Sequence, residues 1–167
     1  MEKETWFSQL YDTHAESIWR YFMVRLNNSE RANDLTHDVF LKFWQVIQTG
    51  ETVTFERAYL YIIAKRLFLN EIRNKRLVTS YESLAEQGFD IVDETEGAHK
   101  KAEAFELWRY LDQINDSYRE VLLLRYVDGL PVKEIAVMLE QKETNISMRI
   151  ARGLAALKSL YDKQKTS

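Results

Sequence analysis

Two groups of side chains in this 167-residue chain could do chemistry on a polyanion. Between residues 55 and 76, six cations (Arg57, Lys65, Arg66, Arg73, Lys75 and Arg76) stand against two anions, Glu56 and Glu71. Between Thr144 and Arg152, hydrogen-bonding, cationic and small apolar side chains alternate: Thr144, Asn145, Ser147, Met148, Arg149, Ala151 and Arg152. Cations neutralise phosphates and release counterions, while amides, hydroxyls and guanidinium groups bond base edges. The chemistry these groups suggest is recognition of nucleic acid. Taken alone, the first group also fits a solvated helix face, with Arg73, Lys75 and Arg76 as partners of a helix C-terminus. Bond-making chemistry has no support. There is no glycine-rich phosphate loop, no Gly-x-Ser-x-Gly elbow and no Cys, and His14, His37 and His99 fall in three separate segments. Neither a catalytic residue, a metal site nor a cofactor is expected.

The elements that position these groups follow from apolar spacing. Trp6, Leu10, Ile18, Phe22 and Leu26 fall near helical spacing, and Asn27-Asn28-Ser29 then breaks the pattern, with Ser29 placed to cap a second helix. Along that helix Ala32, Leu35, Val39 and Phe43 form one stripe, with Asp34, Asp38 and Lys42 elsewhere. After the loop Gln48 to Thr52, a third helix runs from about Phe55 to Arg76. Further on, Phe105, Leu107, Trp108, Leu111 and Ile114 mark a helix, and Tyr118 to Tyr126 another, capped by Asp116 or Ser117. Asp128-Gly129-Leu130-Pro131 breaks the chain. Val132 to Leu139 is a short helix, Glu140 to Lys142 a turn, and Thr144 to about Tyr161 a longer helix. That layout is a helix-turn-helix, in which Ile135, Ala136 and Leu139 clamp against Ile146, Ile150 and Leu154. An ordinary helical hairpin inside a bundle has the same pattern. The aromatics Trp6, Tyr21, Phe22, Phe40, Phe43 and Trp44 are expected mainly in the core, one or two of them reaching an interface.

The expected fold is all-α. One Pro and five Gly leave few enforced turns, and 46% apolar residues are enough to bury a core. The net charge of −3 is unevenly spread: residues 1–76 carry eleven basic and ten acidic side chains, residues 77–99 none and six, and residues 100–167 twelve and ten. Two small helical domains joined by a flexible acidic linker are expected, with Leu84, Phe89, Ile91 and Val92 the linker's apolar residues. The missing apolar run of membrane length, the lack of a secretory leader at Met1-Glu-Lys-Glu-Thr5 and the absence of Cys lead to the expectation of a cytoplasmic protein with no membrane insertion.

The segment Tyr118-Arg-Glu-Val-Leu-Leu-Leu-Arg-Tyr-Val-Asp-Gly-Leu-Pro-Val-Lys-Glu-Ile-Ala-Val-Met-Leu139 closely resembles the promoter-binding domain of extracytoplasmic-function sigma factors of bacterial RNA polymerase. Thr144 to Arg152 lies where that family has its recognition helix for the −35 element. Independently, Asn33-Asp-Leu-Thr-His-Asp-Val-Phe-Leu-Lys-Phe-Trp44 resembles the family's polymerase-clamp helix, and Ala58 to Arg73 its helix for the melted −10 element. The resemblance spans about residues 6–76 and 103–160.

It implies a region 2 domain over 1–76, a linker over 77–102 and a region 4 helix-turn-helix domain over 103–167. It also implies sites. Polymerase binding falls to Asp34, Leu35, Asp38, Phe40, Leu41 and Trp44. Capture of the single-stranded −10 element and its backbone falls to Thr49, Gly50, Lys65, Arg66, Asn70, Arg73 and Arg76. Major-groove reading of the −35 element falls to Thr144, Asn145, Ser147, Met148, Arg149, Ala151 and Arg152. The implied partners are core RNA polymerase at its clamp and flap, promoter DNA, and an anti-sigma factor that masks these surfaces until a stress signal; the free chain is expected to be a monomer. Departures from the family pattern are Arg66 in place of Asn, a loop Thr49 to Thr54 without an aromatic, Ser147, Met148 and Ala151 in a less basic recognition helix, and Glu140-Gln141 in the turn where Gly and an aliphatic residue are usual. The readings left open are a stand-alone helix-turn-helix regulator and a helical polymerase-binding adaptor.

Overall fold

The computed structural model describes residues 2–79 and 98–166, with side-chain surroundings for residues 2–75 and 106–166. Most of the expected linker, including Leu84, Phe89, Ile91 and Val92, lies outside the described residues. Regular structure among the described residues is helical: α1 (Glu2–Leu26), α2 (Ser29–Gln48), α3 (Glu56–Thr79), α4 (Ala98–Gln113), α5 (Asp116–Leu122), a π-helical turn (Leu123–Val127), α6 (Val132–Leu139) and α7 (Glu143–Lys165). The chain divides into two compact units, Met1–Ile91 and Val92–Ser167.

In the first unit, α1, α2 and α3 pack on one another. Leu10, Ile18, Tyr21 and Phe22 of α1 meet Ala32, Leu35, Thr36, Val39, Phe40 and Phe43 of α2, and α3 adds Ala58, Leu60, Tyr61, Ile63 and Ala64. Rings fill much of the space. Phe7 lies 4.7 Å from Trp44, Tyr11 4.7 Å from Phe40, and Tyr21 stands edge-on to Tyr61 at 5.6 Å. α1 ends because Asn27 turns into the left-handed region (φ 50°), which Asn tolerates better than most residues. Its neighbour Asn28, extended at φ −142°, caps α2 by accepting the Arg31 N–H at 3.0 Å. The cap therefore sits one residue before the expected Ser29, because the extended backbone needed for capping falls at Asn28.

Near the start of α2, Arg31 clamps α3. Its Nε and one terminal nitrogen donate to the two Glu71 oxygens at 2.7 and 2.8 Å, a bidentate pair between residues 40 apart in sequence. These hydrogen bonds hold the Glu71 carboxyl below its ordinary value of 4.5.

The second unit is built on α7. α5 and α6 pack against it most extensively, and α4 joins through Tyr110, whose hydroxyl donates to Gln164 and whose ring lies edge-on to Tyr161. α5 is capped by Asn115, whose side chain accepts the Ser117 N–H at 2.8 Å, so neither Asp116 nor Ser117 serves. The helix expected through Tyr126 instead widens at Leu123. Asp128 N–H reaches back to the Leu123 carbonyl and Leu130 N–H to that of Leu124, both at 2.9 Å. Val121, Leu122, Leu123 and Leu124 are all buried on the way into the wide turn, while Arg125 and Tyr126 face outward.

The α6–α7 turn closes as a Schellman motif: Gln141 N–H donates to the Ala136 carbonyl and Glu140 N–H to that of Val137. The motif needs a left-handed residue, and Glu140 supplies it at φ 54°, ψ 45°. A side chain with a Cβ costs energy in this conformation where glycine does not. Glu140→Gly is expected to stabilise the second unit by about 1 kcal/mol, read by urea unfolding followed through Trp108 fluorescence. The Arg31–Glu71 pair makes a second prediction. A carboxyl whose pKa falls on folding adds stability above its unfolded pKa and loses it as pH drops through the folded value. The melting temperature of the first unit should therefore fall on acidification below about pH 5, and Glu71→Gln should make that fall shallower.

Candidate nucleic-acid and partner interfaces

α6, the turn and α7 present one outward surface because the opposite side of α7 is committed to the core. Ile146 and Ile150 are buried, and the third inward position is Gly153. A Cβ at Gly153 would lie 3.0 Å from Leu122 Cδ1 and 3.2 Å from Tyr118 Cβ, so the missing side chain is what lets α7 approach α5. Leu154, expected in the clamp, is 43% exposed and corrects that reading. Helical rotation carries the inward line from Ile150 to Gly153 and turns Leu154 away.

Opposite that line stand Thr144, Met148 and Ala151, all exposed, with Met148 at 50%. Asn145 and Arg152 flank them on one side and Ser147 on the other, all exposed, while Arg149 is half-buried. The first residues of α7 hold their geometry through the Lys142 carbonyl, which accepts from Asn145 and Ile146 N–H groups at 3.0 and 3.2 Å. The result is an apolar central ridge with polar and cationic flanks.

On α3, Arg66, Asn70 and Arg73 are exposed at spacings of four and three, so they share one face, with exposed Leu69 beside them. Asn70 Oδ1 accepts a hydrogen bond from Arg73, which aligns amide and guanidinium. Lys65 is half-buried at the margin. Arg76 lies outside the residues whose side chains are described. In the loop after α2, Thr49 and Gly50 are exposed; the Thr49 hydroxyl donates to the Val46 carbonyl at 2.7 Å, and Gly50 takes φ 86°.

On α2, Asp34, Asp38 and Leu41 share the exposed side, Leu41 at 55%, and Trp44 is half-buried against Phe7. Leu35 and Phe40 are corrections: at 2% and 3% exposure they belong to the core and offer no surface to a partner. Leu35 lies in the very stripe, Ala32, Leu35, Val39 and Phe43, that the apolar spacing assigns inward. His37 and Gln45 are exposed on the same side as Asp34 and Leu41, where their spacing from those residues places them. Among the described residues there is no group of three or more potential metal ligands. No helix there is long and apolar enough to cross a membrane.

Residues 10–78 match the family model for sigma-70 region 2, and residues 104–157 that for sigma-70 region 4. The chain is 30% identical to the ferric citrate uptake sigma factor FecI of Escherichia coli, over 89% of this chain and 86% of that protein. It is 25% identical to the ECF RNA polymerase sigma factor SigL of Mycobacterium tuberculosis, over 89% and 85%. Its fold is similar to that of the sigma factor RpoE of Bartonella quintana, solved with the anti-sigma factor NepR, at a TM-score of 0.72 and 18% identity over 93% of this chain and 96% of that one. The chain belongs to the sigma-70 family and is an RNA polymerase sigma factor of the ECF type.

Because Gly153 sets the seat of the outward helix, enlarging it should unseat α7. Gly153→Val is expected to lose about 1–3 kcal/mol of stability by overpacking against Leu122 and Tyr118, measured by urea unfolding of the second unit.

Proposed function

We propose that this sigma factor binds core RNA polymerase and directs initiation at promoters it recognises at two places. In this reading the exposed side of α2, with Asp34, Asp38, Leu41 and the edge of Trp44, meets the polymerase clamp. The α3 face of Arg66, Asn70 and Arg73, with Lys65, Arg76 and the Thr49-Gly50 loop, captures the unpaired strand of the −10 element. Guanidinium groups there can stack on bases as well as hold phosphates. α7 lies in the major groove at the −35 element, where Arg149 and Arg152 reach phosphate or guanine edges and Met148 and Ala151 pack on thymine methyl groups. The domain roles follow: 1–76 for polymerase and −10 contacts, 77–102 as the connection, and 103–167 for the flap and the −35 contact. The chain itself makes no covalent chemistry; strand opening is driven by binding energy and base capture.

The observation that carries this reading is the co-occurrence of the two family matches, in order, with exposed recognition faces at the matched positions of α3 and α7. It favours a sigma factor over a stand-alone regulator, for which the second unit alone would be enough. Neither face is strongly basic. Holding both domains on one polymerase supplies the missing affinity through effective concentration. We further infer a cytoplasmic monomer whose recognition surfaces are covered by an anti-sigma factor between signals; the fold shared with RpoE of Bartonella quintana, a sigma factor found in complex with the anti-sigma factor NepR, supports that inference.

Run-off transcription by bacterial core polymerase on a library of randomised promoters tests the proposal. Discrete starts that require this protein, preceded by shared sequences near −10 and −35, are expected. Absence of both stimulation and core binding would sink the reading. In the same assay Arg152→Ala should weaken −35-dependent initiation and lower the salt slope of promoter binding by about 1, while Leu41→Glu should weaken core binding and leave α7 intact.

A further inference from the structure

Arg31 stands between the two surfaces assigned to unit 1. Two of its nitrogens are committed to Glu71 at 2.7 and 2.8 Å, and the third, Nη1, lies 3.8 Å from Asp34 Oδ2. Asp34 is an exposed carboxylate on the α2 surface assigned to polymerase. Glu71, only 12% exposed, directly follows Asn70 on α3 and sits two residues before Arg73. One guanidinium thus bonds a carboxylate set behind the α3 face and lies close to one on the α2 surface.

We propose that Arg31 and Glu71 are a positioning pair for −10 recognition: the bidentate bond between α2 and α3 sets the rotation of the α3 turn that carries Asn70 and Arg73. The proposal rests on the promoter-recognition reading above. The fully buried residues of α3, Ala58 to Ala64, lie toward its N-terminal half, and the last ring contact described, half-buried Phe68 edge-on to Tyr21 at 6.3 Å, comes before the turn at residues 70–73. Beyond them the turn at residues 70–73 is tied to α2 by this pair, and a fork-to-fork bond fixes rotation as well as distance. Asn70 and Arg73 are also bonded to each other, so a rotation of the turn moves both together. Asp34 lies near the remaining terminal nitrogen, which Glu71 does not use, so the fork to Glu71 is kept whatever Asp34 meets. Neither Arg31 nor Glu71 needs to touch DNA.

The test uses holoenzyme assembled from core polymerase and the full chain, wild type or carrying Arg31→Ala, Arg31→Lys, Glu71→Gln or Arg31→Ala with Glu71→Gln. Promoter opening is read as permanganate reactivity of unpaired thymines at matched holoenzyme saturation, core affinity by fluorescence anisotropy, and melting temperature for each chain. Val39→Ala, a core change on α2 away from the pair, serves as a stability control. Arg31→Ala and Glu71→Gln are each expected to lower opening about tenfold, with core affinity within about twofold of wild type. The double variant should be no worse than the worse single one, and Arg31→Lys, which keeps the charge and loses the fork, should recover only part. If Val39→Ala with an equal drop in melting temperature loses as much opening, the pair is merely structural and the proposal is overturned. Unchanged opening in Arg31→Ala overturns it as well. A wild-type holoenzyme that opens no promoter would overturn the promoter-recognition reading first and this inference with it.

Discussion

The burial of Ile146, Ile150 and Gly153 determines what the second unit can offer to a partner. A helix turns 100° per residue, so once those three positions face inward, with Gly153 against Leu122 and Tyr118, Thr144, Met148 and Ala151 must face out. The same constraint governs the first unit. Ala32, Leu35, Val39 and Phe43 are committed to the core, and Asp34, Asp38 and Leu41 are thereby presented. The proposed recognition surfaces are the complement of core stripes. A change in the core that rotates a helix by one position therefore exchanges its recognition residues even if none of them is mutated.

That dependence explains what could be read from sequence. Periodicity located all the main helices because their stripes are long, and spacing alone assigned Leu35 inward. The three-against-four ambiguity is where it failed. From Ile146 and Ile150 the stripe could continue at Leu154 or at position 153, and only the close approach of α5 selects the glycine. Residue hydrophobicity favoured Leu154; shape decided otherwise. The observed caps lie one residue before the expected position at Asn28 and one or two before it at Asn115, for a related reason. Several neighbouring side chains there are capable of capping, and backbone dihedrals choose among them. The π-helical turn at Leu123 had no sequence signature, since a run of three leucines suits either helix.

The Arg31–Glu71 pair could not be read at all from one sequence. Both residues look like solvated helix charges, and 40 positions separate them. Glu71 even counts as one of the two anions diluting a basic face. In the structure it is a clamp, and the cationic character of the α3 face at Arg66 and Arg73 is not weakened by it, because its charge is spent on Arg31. The composition of a face and the charge it presents are different quantities. Counting residues along a helix gives the first, and pairing across helices gives the second.

Glu140 puts the same point in terms of conformation. Its position in the turn favours glycine, and the chain accepts a strained left-handed residue there while keeping both Schellman hydrogen bonds. The angle between α6 and α7 is then held by those bonds and by the buried Ile135, Ala136 and Ile146, and the expected cost of the departure from glycine is in stability. Met148 and Ala151 are departures of the opposite kind, on the outward line, where they cost little in folding and change what the helix can recognise. An apolar ridge rewards thymine methyl groups and gives little purchase on phosphate. On the proposed reading such a domain would bind DNA weakly alone and gain affinity when a second contact, on the same polymerase, holds it in place. On that reading weak individual faces are an advantage, because neither unit would occupy promoter DNA productively without the enzyme that uses it.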